Sequence, residues 1–177
     1  GDNYTEEWHK ESAKRGLPNL RTAADEIPVL TTEQSLNLFE HYGVLSNREL
    51  KARQEVLLQQ YATVVGIECR TLIQMLSTQI LPAALRCQGE LADIVSSTQA
   101  VSVDCSRSAG RLNDVARLVE SMQESIDTLK VAESKNHPSS NAHADYVRDS
   151  LLPAMEVARV ISDQLEEMLP DDLWPLP

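Results

Sequence analysis

The residues near the start of the chain that could do metal chemistry are Glu6, Glu7, His9 and Glu11. Carboxylates and imidazoles are common metal ligands, and Glu6 and His9, three residues apart, would share one face of a helix. The alternative is a solvated helix start, whose acidic side chains complement the positive end of the helix dipole. We favour this alternative, so the segment predicts no metal site.

The remaining histidines are weaker candidates. His41 follows Glu40, while His137 and His143 lie on either side of Pro138 in a polar stretch. Isolated histidines on polar turns are usually solvated, so we assign them no role.

Three cysteines, Cys69, Cys87 and Cys105, are evenly spaced. If Cys69 and Cys87 share one continuous helix they lie roughly 27 Å apart, whereas a disulfide needs Cα atoms within about 7 Å. We therefore expect reduced thiols in a helical core, which favours the cytosol. Each lies on or near an apolar stripe without a neighbouring histidine, so nothing would activate a thiolate nucleophile.

Sequence signatures of nucleotide binding and nucleophilic catalysis are absent. The chain contains no G-x-G-x-x-G, no G-x-x-x-x-G-K-[ST], no G-x-S-x-G and no C-x-x-C. From the residues alone we predict no catalytic, cofactor-binding or metal-binding residue.

Composition points to an acidic helical protein. The 177 residues include 27 acidic and 16 basic side chains, a net charge of −11, and only six glycines. Nucleic acids and anionic membranes need clustered Lys and Arg, so we expect neither as a partner. No apolar run is long enough to span a bilayer.

Capping signals place two short helices in the first part of the chain. Thr5 is a predicted N-cap, and Gly16 followed by Pro18 ends that helix. A linker, Leu17 to Leu30, precedes a capping box of Thr31 and Gln34 that opens a helix running to Gly43.

Three long amphipathic helices follow. Ser46 and Glu49 form a capping box for the first, which extends to about Thr98, with a kink or break expected near Ile80 because Pro82 interrupts the hydrogen-bond ladder. Apolar residues recur every three or four positions in all three. They are Tyr61, Val65, Cys69, Leu72, Leu76, Ile80, Ala83, Cys87, Leu91 and Ile94; then Leu112, Val115, Val119, Met122, Ile126 and Leu129; then Val147, Leu151, Ala154, Ala158, Ile161, Leu165 and Met168.

The predicted fold is all-α: an antiparallel bundle of three long helices with an N-terminal arm of short helices. We place the arm at 1–45, the bundle at 46–170, where Pro170 ends the last helix, and an irregular tail at 171–177. Pro153 should bend the third helix near its start. The arm carries Tyr4 and Trp8, so it must dock on another surface.

Several motifs in order resemble the region that follows the catalytic core of the type III glutamine synthetases. They are GDNYTEEWHKESAKRGLPNLRTAADEIPVL (1–30), LFEHYGVLSNRELKARQEVLLQQY (38–61), QILPAALR (79–86), YVRDSLLPAM (146–155) and LWPLP (173–177). The likeness is weakest between Asp104 and Ser140. Ser12 and Cys87 depart from the family pattern, which usually has alanine and an aromatic residue there.

The resemblance implies that the parent enzyme ligates ammonia to glutamate with ATP and Mg or Mn, as a large cytoplasmic homo-oligomer. It also implies that the metal, nucleotide and phosphate ligands lie upstream, in a catalytic domain of the same polypeptide, and that the chain is truncated at both ends. The chain alone would then be inactive and would brace the core or mediate subunit contacts. The alternative is a stand-alone helical interaction or regulatory module.

Overall fold

In a computed structural model, residues 5–176 are described, and their regular structure is entirely helical. This confirms the predicted all-α class. The elements in chain order are α1 (Glu6–Lys14), α2 (Ala23–Glu26), a 3-10 turn (Ile27–Thr31), α3 (Glu33–His41), α4 (Asn47–Met75), a π turn (Leu76–Ile80), α5 (Leu81–Ala100), α6 (Ser106–Glu133), α7 (Ser140–Tyr146), a second π turn (Val147–Leu151) and α8 (Leu152–Glu166).

Two compact units make up the chain, Gly1–Tyr61 and Ala62–Pro177, and α4 contributes residues to both. The predicted boundaries at 45/46 and 170/171 remain predictions. Residues 167–176 contain turns but no helix or strand, and α8 ends at Glu166, before Pro170.

In the first unit, the predicted limits of α1 are confirmed. The Thr5 side chain accepts a hydrogen bond from the backbone N–H of Trp8 at 3.3 Å. At the other end Gly16 has φ of +71°, the left-handed conformation that glycine adopts without steric cost.

The segment predicted as a linker, Leu17 to Leu30, is more ordered than expected. Thr22 caps α2 by accepting a hydrogen bond from the N–H of Asp25. Pro28 lies in the first turn of the 3-10 turn Ile27–Thr31, where its fixed φ is tolerated.

The predicted cap of α3 was one residue too early. Thr31 ends the 3-10 turn, where its hydroxyl lies 2.9 Å from Gln54 Oε1. The cap therefore moves to Thr32, which accepts from the N–H of Ser35. The second predicted capping box is confirmed, since the N–H of Ser46 donates to Glu49 Oε2 at 2.8 Å.

In the second unit, α6 packs against both α5 and α8. The connections 101–105 and 134–139 between the successive helices are short, and short connections between helices that pack together favour an antiparallel arrangement. The predicted apolar seam of α6 is confirmed as a core face, because every residue of the seam except the half-buried Leu112 is buried. The buried residues are Val115, Val119, Met122, Ile126 and Leu129.

A kink or break was predicted near Ile80 and a bend near Pro153, and at both places the structure has a π turn, after which the helix continues through the proline. The N–H of Leu81 bonds to the carbonyl of Leu76, and the N–H of Leu152 to that of Val147, both five residues back. Each π turn ends two residues before its proline, and helix resumes at once. The wider turn accommodates a residue that has no N–H and whose ring would clash with the preceding turn.

Truncating the seam should destabilise the chain strongly. Leu129→Ala removes a fully buried side chain, so we expect the free energy of unfolding in urea to fall by about 2–5 kcal/mol. Val131→Ala, on the same helix but 63% exposed, is the control and should cost less than about 0.5 kcal/mol. Equal losses would contradict the assignment of the buried face.

Two glycine substitutions should change stability in opposite directions. A Cβ on Gly89, inside α5, would meet no atom within 4 Å, so Gly89→Ala should raise the free energy of unfolding by about 0.5–1 kcal/mol. Gly43 has φ of +62°, so Gly43→Ala should lower it by about 1–2 kcal/mol. Urea titration of both variants checks this, and the same sign in both would refute the assigned backbone conformations.

Candidate functional site

The acidic candidates in α1 do not come together as a ligand set. Glu6 and Glu7 are exposed, and Glu11 is paired with Arg15 at 2.8 Å. Between residues 5 and 176 there is no group of three or more His, Cys, Asp or Glu side chains that could hold a metal ion. The acidic residues of α1 are therefore assigned no chemical step.

The aromatic residues of the predicted docking arm can be followed only in part, because Tyr4 lies outside the described residues. Trp8 is half-buried, and the guanidinium carbon of Arg15 lies 5.8 Å from its ring centroid. An arginine from the same helix thus covers part of the indole surface through a cation–π contact.

The three cysteines are free thiols. Cys69 and Cys87 are buried, Cys105 is half-buried, and burial raises the pKa of the first two thiols. Because the thiolate is the reactive form, neither buried cysteine is activated as a nucleophile.

The structure does bring together His137 and His143. Their rings stack with centroids 4.7 Å apart and planes 13° apart, and Tyr146 lies 4.5 Å from His137. The rings line a cleft of about 230 Å³ within the second unit. We call it the polar cleft; its lining residues are Ala62, Thr63, Gly66, Arg70, Ala132, Glu133, Lys135, His137, His143, Tyr146 and Leu151.

Charged groups surround the stacked rings. Arg70 of α4 forms an ion pair with Glu133 at the end of α6, and Lys135 Nζ lies 5.0 Å from the Tyr146 ring centroid. Burial, and secondarily the nearby His137, lowers the pKa of His143. Nε2 of His137 is buried and makes no hydrogen bond with any described group.

Local sequence explains one wall of the polar cleft but not the other. Ser139 caps α7 by accepting from the N–H of Ala142, and the Tyr146 hydroxyl donates to the carbonyl of Ala132 at 3.3 Å. These contacts fold the α6–α7 turn so that His137 faces His143. Arg70 comes from a position 63 residues before Glu133, a distance at which single-sequence reasoning has no signal.

An apolar groove of about 680 Å³ lies in the first unit. Val56 and Leu57 are 60% and 40% exposed along one side of it, and Glu49 and Arg53 are its charged members. The full lining is Leu30, Phe39, Leu45, Glu49, Leu50, Ala52, Arg53, Val56 and Leu57. We call it the apolar groove.

The described residues therefore form an all-α domain with an apolar groove in one unit and a small polar cleft in the other. Residues 1–99 match the model of the glutamine synthetase C-terminal domain family, which is more than half of the chain. The chain belongs to that family, which confirms the resemblance seen in its motifs.

Three relatives are glutamine synthetases. The chain is 29% identical over 187 residues to the type-3 glutamine synthetase of Dictyostelium discoideum, and 30% identical over 190 residues to the glutamine synthetase of Bacteroides fragilis (strain YCH46). Both matches cover all of this chain. The glutamine synthetase of Butyrivibrio fibrisolvens is 28% identical over 175 residues, 97% of the chain. In each case the chain spans only 25% of the relative's length.

None of the described helices is both long and apolar enough to cross a membrane.

The lowered pKa of His143 should make stability depend on pH. The native chain binds a proton at this ring less readily than the unfolded chain, so the free energy of unfolding should fall as the pH drops below about 6.5. In His143→Gln this slope should be shallower. His41→Gln, at an exposed position, is the control and should keep the wild-type slope. Urea unfolding at about pH 5, 6 and 7 tests this, and an unchanged slope in His143→Gln would contradict it.

Proposed function

We propose that this chain is the C-terminal, non-catalytic helical region of a type-3 glutamine synthetase, where it braces the catalytic part of the polypeptide or contributes to subunit contacts. The observation that carries the proposal is the match to the C-terminal domain family together with the 25% coverage of each relative. Three quarters of each relative's length is left to hold the catalytic groups.

In this proposal the parent protein joins ammonia to glutamate with ATP and Mg or Mn, in the cytoplasm and as a homo-oligomer. The residues that bind the nucleotide, the metal and the transferred phosphate belong to the preceding domain. The present chain supplies a rigid helical surface.

The apolar groove is the proposed docking surface for the preceding domain. The apolar groove is larger than the polar cleft, and Val56, which lines the groove, is 60% exposed. The same unit also exposes Leu38, Tyr42 and Val44 by 54%, 70% and 63%. Exposed apolar surface of this kind marks interaction sites. Because the chain spans only 25% of each relative's length, we propose the preceding domain as the partner that docks there.

The proposal predicts a clear division of activity. This 177-residue chain alone should show no γ-glutamyl transfer, while the longer polypeptide that includes the preceding domain should show it under the same assay. Transfer activity in the isolated chain would overturn the assignment as non-catalytic.

A charge in the groove should uncouple the two parts of the longer polypeptide. Val56→Asp would bury a charged carboxylate in an apolar groove on docking, so activity or assembly should fall by about tenfold or more. Gln60→Asp, one turn further along α4 and not part of the groove, is the matched control. Activity and light-scattering mass that stay unchanged in Val56→Asp would exclude the groove as the docking surface.

A further inference from the structure

The polar cleft is electrostatically unlike the rest of the chain. Its formal charges are Arg70, Lys135 and Glu133. Arg70 and Glu133 pair with each other, so Lys135 leaves the cleft with a net positive charge in a protein whose net charge is −11. Two imidazoles, His137 and His143, add the capacity for further positive charge. A positive cleft on an acidic protein concentrates anions.

Some polar groups that line the cleft have no hydrogen-bond partner among the described residues. Among the described groups Arg70 donates only to Glu133, through Nη1, although a guanidinium carries five N–H donors. Nε2 of His137 is buried and has no partner among those groups, and a buried polar atom without a partner costs free energy. A ligand with acceptor oxygens would satisfy both.

The size of the cleft limits what it can hold. A volume of about 230 Å³ equals roughly seven to eight water molecules at liquid density. That accommodates a phosphate or a small carboxylate, and it is smaller than the pockets of about 300–1,000 Å³ that hold drug-sized ligands.

We propose that the polar cleft binds a small oxyanion, held by the free N–H groups of Arg70, the ammonium of Lys135 and an N–H of His137. Glu133 lines the same cleft, and its charge is offset by Arg70. The C-terminal end of α6 contributes partial negative charge to the cleft. Lys135 lies two residues beyond that end, and its positive charge offsets this contribution. The Tyr146 hydroxyl donates a hydrogen bond to the carbonyl of Ala132, and these two residues form one wall of the cleft.

Binding should be coupled to proton uptake. An anion favours the charged form of a nearby imidazole, so the pKa of His143 should rise when the cleft is occupied. The titratable groups facing these rings are Arg70 from α4, Glu133 from α6, Lys135 from the connecting turn and Tyr146 from α7. An imidazole changes charge near neutral pH, so affinity should rise as the pH falls, by up to about tenfold per unit for one proton taken up.

The test is an NMR titration of the full chain with inorganic phosphate and, separately, with succinate, at about pH 6 and about pH 7.5. We expect saturable shifts of the His137 and His143 ring resonances, tighter binding at the lower pH, and a raised pKa of His143 at saturation. The stronger of the two probes identifies whether phosphate or carboxylate is preferred. If neither produces a saturable shift, the proposal is wrong.

Lys135→Met tests the site itself, since it removes the charge while keeping an unbranched stem over the Tyr146 ring. Affinity should fall about tenfold or more, equivalent to about 1.4 kcal/mol. Lys130→Met is the control, because Lys130 is exposed on α6 and does not line the cleft. Equal weakening by both variants would mean that the anion responds only to overall charge, which would overturn the proposal.

Discussion

Burial of the apolar seam of α6 is the constraint on which the second unit depends. Met122 and Leu129 are fully buried, two turns apart on the face of the helix that packs against α5 and α8. Most helical stability in proteins comes from burying such an apolar face and little from intrinsic propensity alone. This packing also positions the polar cleft, because Glu133 and the turn that follows it continue directly from the buried part of α6.

The two π turns show how the same packing tolerates proline inside long helices. Pro82 and Pro153 each occupy the second position after a π turn that ends on a buried apolar residue, Ile80 or Leu151. Both π turns also contact α6. The rearranged hydrogen bonds therefore lie where the helix is held from outside by tertiary contacts, and a local weakness in the ladder does not become a break.

Sequence reasoning succeeded where the physical signal was local or periodic. Thr5, Gly16 and the Ser46–Glu49 pair fixed helix ends because a cap involves neighbouring residues, and the three-four spacing of Val115 to Leu129 identified the buried face because it repeats. It failed by one residue at Thr31, where the preceding 3-10 turn shifts the cap, and it treated Leu17 to Leu30 as a linker. The pairing of Arg70 with Glu133 could not be predicted, because it depends on how α4 and α6 are aligned in space.

That alignment is not specified by the apolar seam. A stripe repeating every three or four residues buries similar surface if one helix slides past another by a turn, so hydrophobic periodicity leaves the register nearly degenerate. Polar contacts at both ends of α6 remove the degeneracy. Near its start Arg111 donates to the carbonyl of Met168 at 2.6 Å, and at its end Glu133 pairs with Arg70. Exposed ion pairs contribute little to stability, but a shift of one turn, about 5.4 Å, would break both contacts at once. The charged end of the bundle that forms the polar cleft is therefore also a point at which a one-turn shift of the helices would lose a polar contact.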